Sequence, residues 1–129
     1  MKEEFDNNRV KSTINKRSLG NKKERLAAEY LKEKGLRIIK YNYRNRFGEI
    51  DIIAMDGSTL VFIEVKYRRS AVKGHPEEAV NAIKARKICQ VADHYRVYAK
   101  VESQVQIRFD VVAIEADDIR WYKNAFEYI

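Results

Sequence analysis

The stretch from Gly48 to Lys66, GEIDIIAMDGSTLVFIEVK, constrains the fold most, because it holds two strand-like apolar runs joined by a short turn. The runs Ile50 to Met55 and Leu60 to Val65 are rich in Ile, Val and Phe. Between them lies Asp56-Gly57, a strong short-range hairpin signal. We therefore predict an antiparallel β-hairpin.

Two acids, Asp51 and Glu64, are set into this hairpin. A two-residue loop at Asp56-Gly57 places Asp51 opposite Phe62 and diagonal to Glu64, whereas a four-residue loop over 56–59 places Asp51 directly opposite Glu64. Side chains alternate between the two faces of a strand. In either register the two carboxylates therefore lie on one face, with Cβ atoms roughly 5 to 8 Å apart.

Facing carboxylates on an apolar hairpin require positive charge, because an unpartnered buried carboxylate is costly. Lys66, two residues beyond Glu64 on the same face, supplies part of it. Asp51 and Glu64, with the backbone carbonyl of Val65, also form an oxygen-rich set that suits Mg²⁺ or Mn²⁺. The alternative is a solvated sheet face with an ordinary Glu-to-Lys contact.

An amphipathic helix is predicted from Ser18 to Lys34, with Gly35 as its C-terminal stop. Its apolar stripe consists of Leu19, Leu26, Ala27, Tyr30 and Leu31. Glu24 lies along or beside this stripe, since Ala27 and Leu31 follow at helical spacing. It is either a border residue that reaches solvent or a third carboxylate aimed at the hairpin.

The remaining pattern predicts a strand at Leu36 to Asn42, a loop at Tyr43 to Phe47, a helix from Pro76 to about Ala99, a strand at Gln104 to Glu115, and a closing strand or short helix within Asp118 to Ile129. The apolar stripe of the second helix is predicted to consist of Ala79, Val80, Ile83, Ile88, Val91, Ala92 and Tyr95. This order favours one α/β domain over residues 18–129 with a mixed central sheet flanked by helices, preceded by a disordered basic tail at 1–17.

The charge balance favours an anionic partner. Lys and Arg total 26 against 19 acids, which gives a formal charge of +7, and nucleic acid fits this balance. Ribosomal or membrane-surface association would give the same signal. The candidate phosphate contacts are Arg44, Arg46, Arg68, Arg69 and Lys73 around the hairpin, with Lys84 and Lys87 on the second helix. Each of these is alternatively a solvated side chain.

Other chemistry is poorly supported by the sequence. There is no zinc pattern, Walker loop or GxSxG motif. Cys89 fits a packing role, His94 lacks a metal-spaced partner, and His75 fits a loop residue better than a proton carrier. No apolar run approaches the roughly 18 residues of a membrane span, and the N-terminus has no signal-peptide core, so we expect a cytoplasmic protein.

The residues Gly20 to Glu24 (G-x-x-x-E), GEIDII with Asp51, and FIEVK with Glu64 and Lys66 resemble the PD-(D/E)xK nuclease superfamily, with Ile50 where proline would precede Asp51. Within that superfamily the chain is similar to the uncharacterised bacterial YraN family, relatives of archaeal Holliday junction resolvases. The resemblance implies a restriction-endonuclease-like fold. It also implies Asp51 and Glu64 as metal ligands, Lys66 as the lysine near the attacking water, and Glu24 as the acid that completes the site.

The function implied is Mg²⁺- or Mn²⁺-dependent hydrolysis of phosphodiester bonds in nucleic acid, including branched or junction DNA. A resolvase cuts two strands symmetrically, which favours a homodimer. The alternatives are a catalytically inert nucleic-acid-binding protein on a nuclease fold, and a protein-interaction module that uses its basic surface.

Overall fold

The computed structural model describes residues 22–68 and 81–129, which form a mixed five-stranded sheet with helices packed on it. The elements are α1 (described over 22–33), β1 (Arg37–Asn45), β2 (Gly48–Asp56), β3 (Thr59–Arg68), α2 (Ala82–Tyr98), β4 (Ile107–Glu115) and β5 (Asp118–Tyr122). The strands lie in the order β1-β2-β3-β4-β5, and only β3 and β4 are parallel. Parallel neighbours need a crossover, which here includes α2. The predicted α/β fold with a mixed sheet is confirmed.

Two apolar clusters cover opposite faces of the sheet. In the hairpin, Ile53 and Phe62 belong to the cluster with α2, whereas Ile52 and Ile63 belong to the cluster with α1. This alternation is expected of strands with both faces buried. The sheet is therefore the middle layer of three, and a side chain on β2 or β3 faces one helix or the other.

The hairpin adopts the register of the longer predicted loop. Asp56 pairs with Thr59 and Ile52 with Ile63, so the same register continued by one residue places Asp51 opposite Glu64. Gly57 has a φ of 61°, a left-handed value that hairpin turns require and that glycine adopts without strain.

Helix α1 follows its prediction over the described residues, with one correction. Ala27 and Leu31 are buried against the sheet, and Gly35 follows the helix with a φ of 102°. Leu26 was predicted to belong to the buried stripe but is 45% exposed. The stripe includes Ala27 and Ala28, and Leu26 lies about 100° around the helix from Ala27.

Helix α2 begins later than predicted. Asn81 has extended backbone angles, and its side chain accepts a hydrogen bond from the Lys84 N–H at 2.9 Å, so Asn81 is the N-cap and the predicted start at Pro76 is wrong. Ile83, predicted to be buried, is 71% exposed. The predicted stripe from residue 88 to residue 95 is buried, as is Cys89. Pro76, Ala79 and Val80 lie outside the described residues.

Strands β1 and β3 are longer than predicted. Residues 43–45, predicted as a loop, continue β1 because the Tyr43 ring is buried edge-on against Tyr95 of α2. Strand β3 continues to Arg68, which pairs with Glu115 of β4. Neither described helix is long and apolar enough to cross a membrane.

Candidate metal centre

Near Asp51, the side chains of β1 and β2 exchange the two faces of the sheet. Tyr41 packs with the α1 cluster and Tyr43 with the α2 cluster, although residues two apart in a regular strand share a face. Between them Asn42 has a φ of 53°, which asparagine tolerates better than most residues. On β2 the same exchange separates Ile52 from Ile50. Asp51 therefore lies where the regular pattern of two buried faces is interrupted.

The end of α1 nearest this position brings Glu24 to it. Lys23 lies 4.0 Å above the Tyr67 ring of β3, and Arg25 lies 4.5 Å from the Tyr41 ring of β1. Cations in contact with aromatic faces are stabilised by the ring quadrupole. These contacts hold the helix turn of Glu24 above β2, which lies between β1 and β3.

Three carboxylates meet at this point. Single oxygens of Glu24, Glu49 and Asp51 all lie within 4.8 Å of one another. The predicted third carboxylate on α1 is thus brought to Asp51, whereas Glu49 was absent from the predicted site. Its signal was visible in the sequence, because Glu49 and Asp51 are two residues apart on one strand. Glu49 also pairs with Arg44 at 3.1 Å.

Glu64 lies on the other side of Asp51 in contact with two lysines. Lys84 of α2 is 2.8 Å from its carboxylate, and Lys66 is 3.7 Å away. The Glu64 side chain is only 12% exposed, so these cations offset much of the cost of burying its charge. Lys84, predicted as a phosphate contact, therefore reaches the acidic centre itself, which sequence spacing did not indicate.

The acids perturb one another strongly. Burial, and after it the charge of Glu64, raise the pKa of Asp51 from 3.8 to about 8, although Val65 N–H donates a hydrogen bond to it at 2.8 Å. Burial and the charge of Glu49 raise the pKa of Glu24, against the opposing effect of a hydrogen bond with Asn42. Such shifts arise where like charges are held together out of water. The centre therefore binds protons more readily than isolated carboxylates do.

The two lysines are shifted in opposite directions. Burial and the proximity of Lys84 lower the pKa of Lys66. For Lys84, burial acts to lower the pKa, but the contact with the Glu64 carboxylate outweighs it and the pKa is raised. Lys84 is thus the firmer ion-pair partner of Glu64, and Lys66 is the more weakly held cation.

The donor set fits a divalent cation. Glu24 Oε1 is buried and has no hydrogen-bond partner, so one oxygen of the cluster is available. Three carboxylates within reach of one ion supply the hard oxygen ligands that Mg²⁺ and Mn²⁺ prefer. Val65 meets Asp51 through its N–H, and the ligand role predicted for its carbonyl stays a prediction.

Gly48 allows α2 to lie close to the start of β2. Its φ is 148°, and a Cβ added there would lie 3.4 Å from a methyl group of Val91. A larger residue would be strained in this conformation. Gly48 thereby fixes the backbone immediately before Glu49 and Asp51.

The other residues predicted to contact phosphate lie on several different elements. Arg44 and Arg46 are exposed on β1 and its turn, Lys87 is exposed on α2, and Arg68 lies at the end of β3. His94 lies 3.1 Å from the Tyr43 hydroxyl through Nδ1, a contact that joins α2 to β1. The predicted residues Arg69, Lys73 and His75 lie outside the described part of the chain.

These features define an α/β protein with a mixed sheet and an acidic centre that can hold a metal, formed by acids of α1 and β2. The family model described as "Uncharacterised protein family UPF0102" matches residues 23–114, and the chain belongs to this family. The match includes all four acids and both lysines of the centre.

Relatives of similar length share much of the sequence. A UPF0102 protein of Lachnoclostridium phytofermentans is 46% identical over 114 residues, covering 88% of this chain and 97% of the relative. One from Chlorobium limicola is 54% identical over 100 residues, covering 78% and 77% respectively. One from Vibrio cholerae is 41% identical over 115 residues, covering 87% and 94%.

Proposed function

We propose that this protein is a metal-dependent nuclease that hydrolyses phosphodiester bonds in nucleic acid. The observation that carries the proposal is the convergence of Glu24, Glu49 and Asp51 within 4.8 Å, beside Glu64. Crowded, partly buried carboxylates, one of them with a strongly raised pKa, are costly for folding and are typical of functional sites. The resemblance of the Asp51, Glu64 and Lys66 pattern to PD-(D/E)xK nucleases supports the same reaction class.

Mg²⁺ or Mn²⁺ would be held by Asp51 together with Glu24 and Glu49, and Glu64 borders the same space. When bound, such an ion supplies Lewis-acid stabilisation of phosphate charge and lowers the pKa of water. The chain contributes a preorganised set of acids, fixed by α1 on one side and by the face change of β2 on the other.

The two lysines have different roles, and only Lys66 acts on the phosphate. Lys66 Nζ lies at the rim of the centre, 3.7 Å from Glu64, and is the less firmly paired of the two lysines. It is placed to stabilise negative charge that develops on the phosphate during attack. Lys84 holds Glu64 at 2.8 Å and so keeps Lys66 free for this task.

A catalytically inert nucleic-acid-binding protein is the competing function. Its specific support is the pairing of Arg44 with Glu49 and of Lys84 with Glu64, because these cations partly neutralise the acids without any metal. In that case the acids would remain on the fold without a catalytic role. The two functions differ in whether Asp51 and Glu24 bind a divalent ion.

Isothermal titration calorimetry with Mn²⁺ and Mg²⁺, followed by cleavage assays, distinguishes them. Wild type should bind the ion and cut at least one of branched, flapped or single-stranded DNA or RNA. Asp51→Asn should lower cleavage by about 10²-fold or more, since it removes a charged ligand while keeping its shape. Glu24→Gln should lower cleavage to a similar extent if Glu24 completes the site.

Glu29→Gln is the matched control, because Glu29 is an exposed acid on the same helix, paired only with Lys32 among the described residues. It should leave ion binding and cleavage unchanged. A wild type that cuts none of these substrates, together with Asp51→Asn and wild type showing the same ion isotherm, would replace the nuclease with the inert binder.

A further inference from the structure

One face at the N-terminal end of α2 has no role in the acidic centre. It consists of Ala82, Ile83, Arg86, Lys87 and Gln90, which line a shallow surface concavity. Residues three and four apart lie on one side of a helix, so Arg86 and Lys87 flank Ile83 directly. We refer to these five residues as the α2 face.

Its composition is unusual for a solvated helix surface. Ile83 is 71% exposed, although isoleucine is among the residues most often buried. Among residues 22–68 and 81–129, neither Arg86 nor Lys87 forms an ion pair, whereas Lys84 and Arg96 of the same helix do. The α2 face therefore combines an exposed aliphatic side chain with two positive charges that form no ion pair within the described part of the chain.

Its position connects it to the acidic centre. Lys84, the residue after Ile83, reaches Glu64 at 2.8 Å, so the helix turn that presents Ile83 outward also contacts the centre. Arg86 and Lys87 follow Lys84 within one helix turn, so the α2 face begins beside a residue that contacts the centre.

We infer that the α2 face binds nucleic acid at an unstacked base step, with Ile83 against an exposed base and Arg86 and Lys87 on the flanking phosphates. In a continuous duplex the base faces are covered by their neighbours, and an aliphatic side chain finds them only where stacking is interrupted. Positive charge on both sides of the apolar residue matches the alternation of base and phosphate. This inference rests on the proposed function, because it takes nucleic acid as the substrate and adds the structure that is preferred.

The test is a binding assay in EDTA, with a DNA duplex that carries one bulged nucleotide and the matching continuous duplex. Wild type should bind the bulged duplex more tightly. Ile83→Ala should weaken binding of the bulged duplex by about tenfold, the order expected for one buried aliphatic side chain, and should leave the continuous duplex nearly unchanged.

Val97→Ala is the matched control, because Val97 is 79% exposed at the opposite end of α2. It should leave binding of both duplexes unchanged. Ile83→Lys should strengthen binding of the continuous duplex through its added charge while removing the preference for the bulge. Thermal unfolding of each variant should match wild type, since both positions are exposed.

Equal weakening of both duplexes by Ile83→Ala, or no weakening of either, would overturn the inference, as would a wild type without preference for the bulge. Because binding is measured without metal, a protein that cuts no substrate still yields this result. Intact Mg²⁺-dependent cleavage by a wild type that shows no preference for the bulged duplex would remove the α2 face while the nuclease proposal stands.

Discussion

Two aspartates on the central sheet, Asp110 of β4 and Asp51 of β2, are both withdrawn from water but have opposite surroundings. Asp110 is fully buried and accepts four hydrogen bonds, two from Arg108, one from the Trp121 indole and one from the Asn124 N–H, at 2.8 to 2.9 Å. Asp51 accepts a hydrogen bond from Val65 N–H and is crowded by Glu64, Glu24 and Glu49.

The difference separates a structural acid from a functional one. At Asp110 each carboxylate oxygen receives two donors, so burial of the charge is compensated and joins β4 to the segment after β5. At Asp51 the neighbouring acids oppose ionisation, and the fold holds them together nevertheless. Such an arrangement destabilises the isolated protein and is relieved by a cation.

The same substitution at both positions tests this comparison most strongly. Asp110→Asn should lower the free energy of unfolding by about 3 to 5 kcal/mol, because either orientation of the amide points its NH₂ group at two donors and leaves Arg108 with Asp56 as its remaining carboxylate partner. Asp51→Asn should leave stability at pH 7 unchanged or higher. Urea denaturation of both variants in EDTA measures the two effects. A marked loss of stability in Asp51→Asn would mean that its carboxylate is structural too.

The pH dependence of stability sharpens the comparison. The pKa of Asp51 is raised from 3.8 to about 8, so the folded protein holds a proton there that the unfolded chain releases. Unfolding therefore becomes easier as pH rises across this window, by up to about 1.4 kcal/mol per pH unit for one proton. In EDTA, the stability of Asp51→Asn should equal that of wild type at the acid end of this pH window. Toward pH 8 the variant should become more stable than wild type.

Added divalent metal should oppose this loss of stability at high pH. Mn²⁺ competes with the proton on Asp51, so added Mn²⁺ should stabilise wild type more at pH 8 than at pH 5 and should have little effect on Asp51→Asn. Urea denaturation at both pH values, with and without the ion, provides the measurement. Equal stabilisation of the two proteins by Mn²⁺ would place the ion elsewhere.

Much of this architecture could be predicted from local sequence. The β-branched runs around Asp56-Gly57 predicted the hairpin, and the helical spacing of Glu24 with Ala27 and Leu31 placed that acid on the sheet side of α1. Both depend on periodicities that a strand or helix imposes on its own residues. The same spacing failed at Ile83. It placed this apolar residue in the buried stripe, whereas α2 turns its side chain outward.

The rest depends on contacts between distant residues. Residues 43–45 were predicted as a loop and are a strand because Tyr43 packs against Tyr95, fifty-two positions along the chain. The reach of Lys84 to Glu64 and the face change at Asn42 likewise depend on how α2 and β1 pack on β2. Asp110 did leave a local signal, an acid directly before the apolar run Val111 to Ile114, which fits a buried acid that requires donors.

The smallest expected effect concerns Arg44, which is 64% exposed and pairs with Glu49 at 3.1 Å. An exposed pair contributes at most about 1 kcal/mol to folding, so Arg44→Ala should barely change stability. Arg44 also competes with a metal for Glu49, and its removal should raise Mn²⁺ affinity by about two- to fivefold. Because the gain acts through Glu49, it should disappear in the Glu49→Gln background, whereas Arg46→Ala should change affinity less. A gain in Mn²⁺ affinity that persists without Glu49 would show that Arg44 repels the ion only at long range. Glu49 would then not be a ligand of the ion.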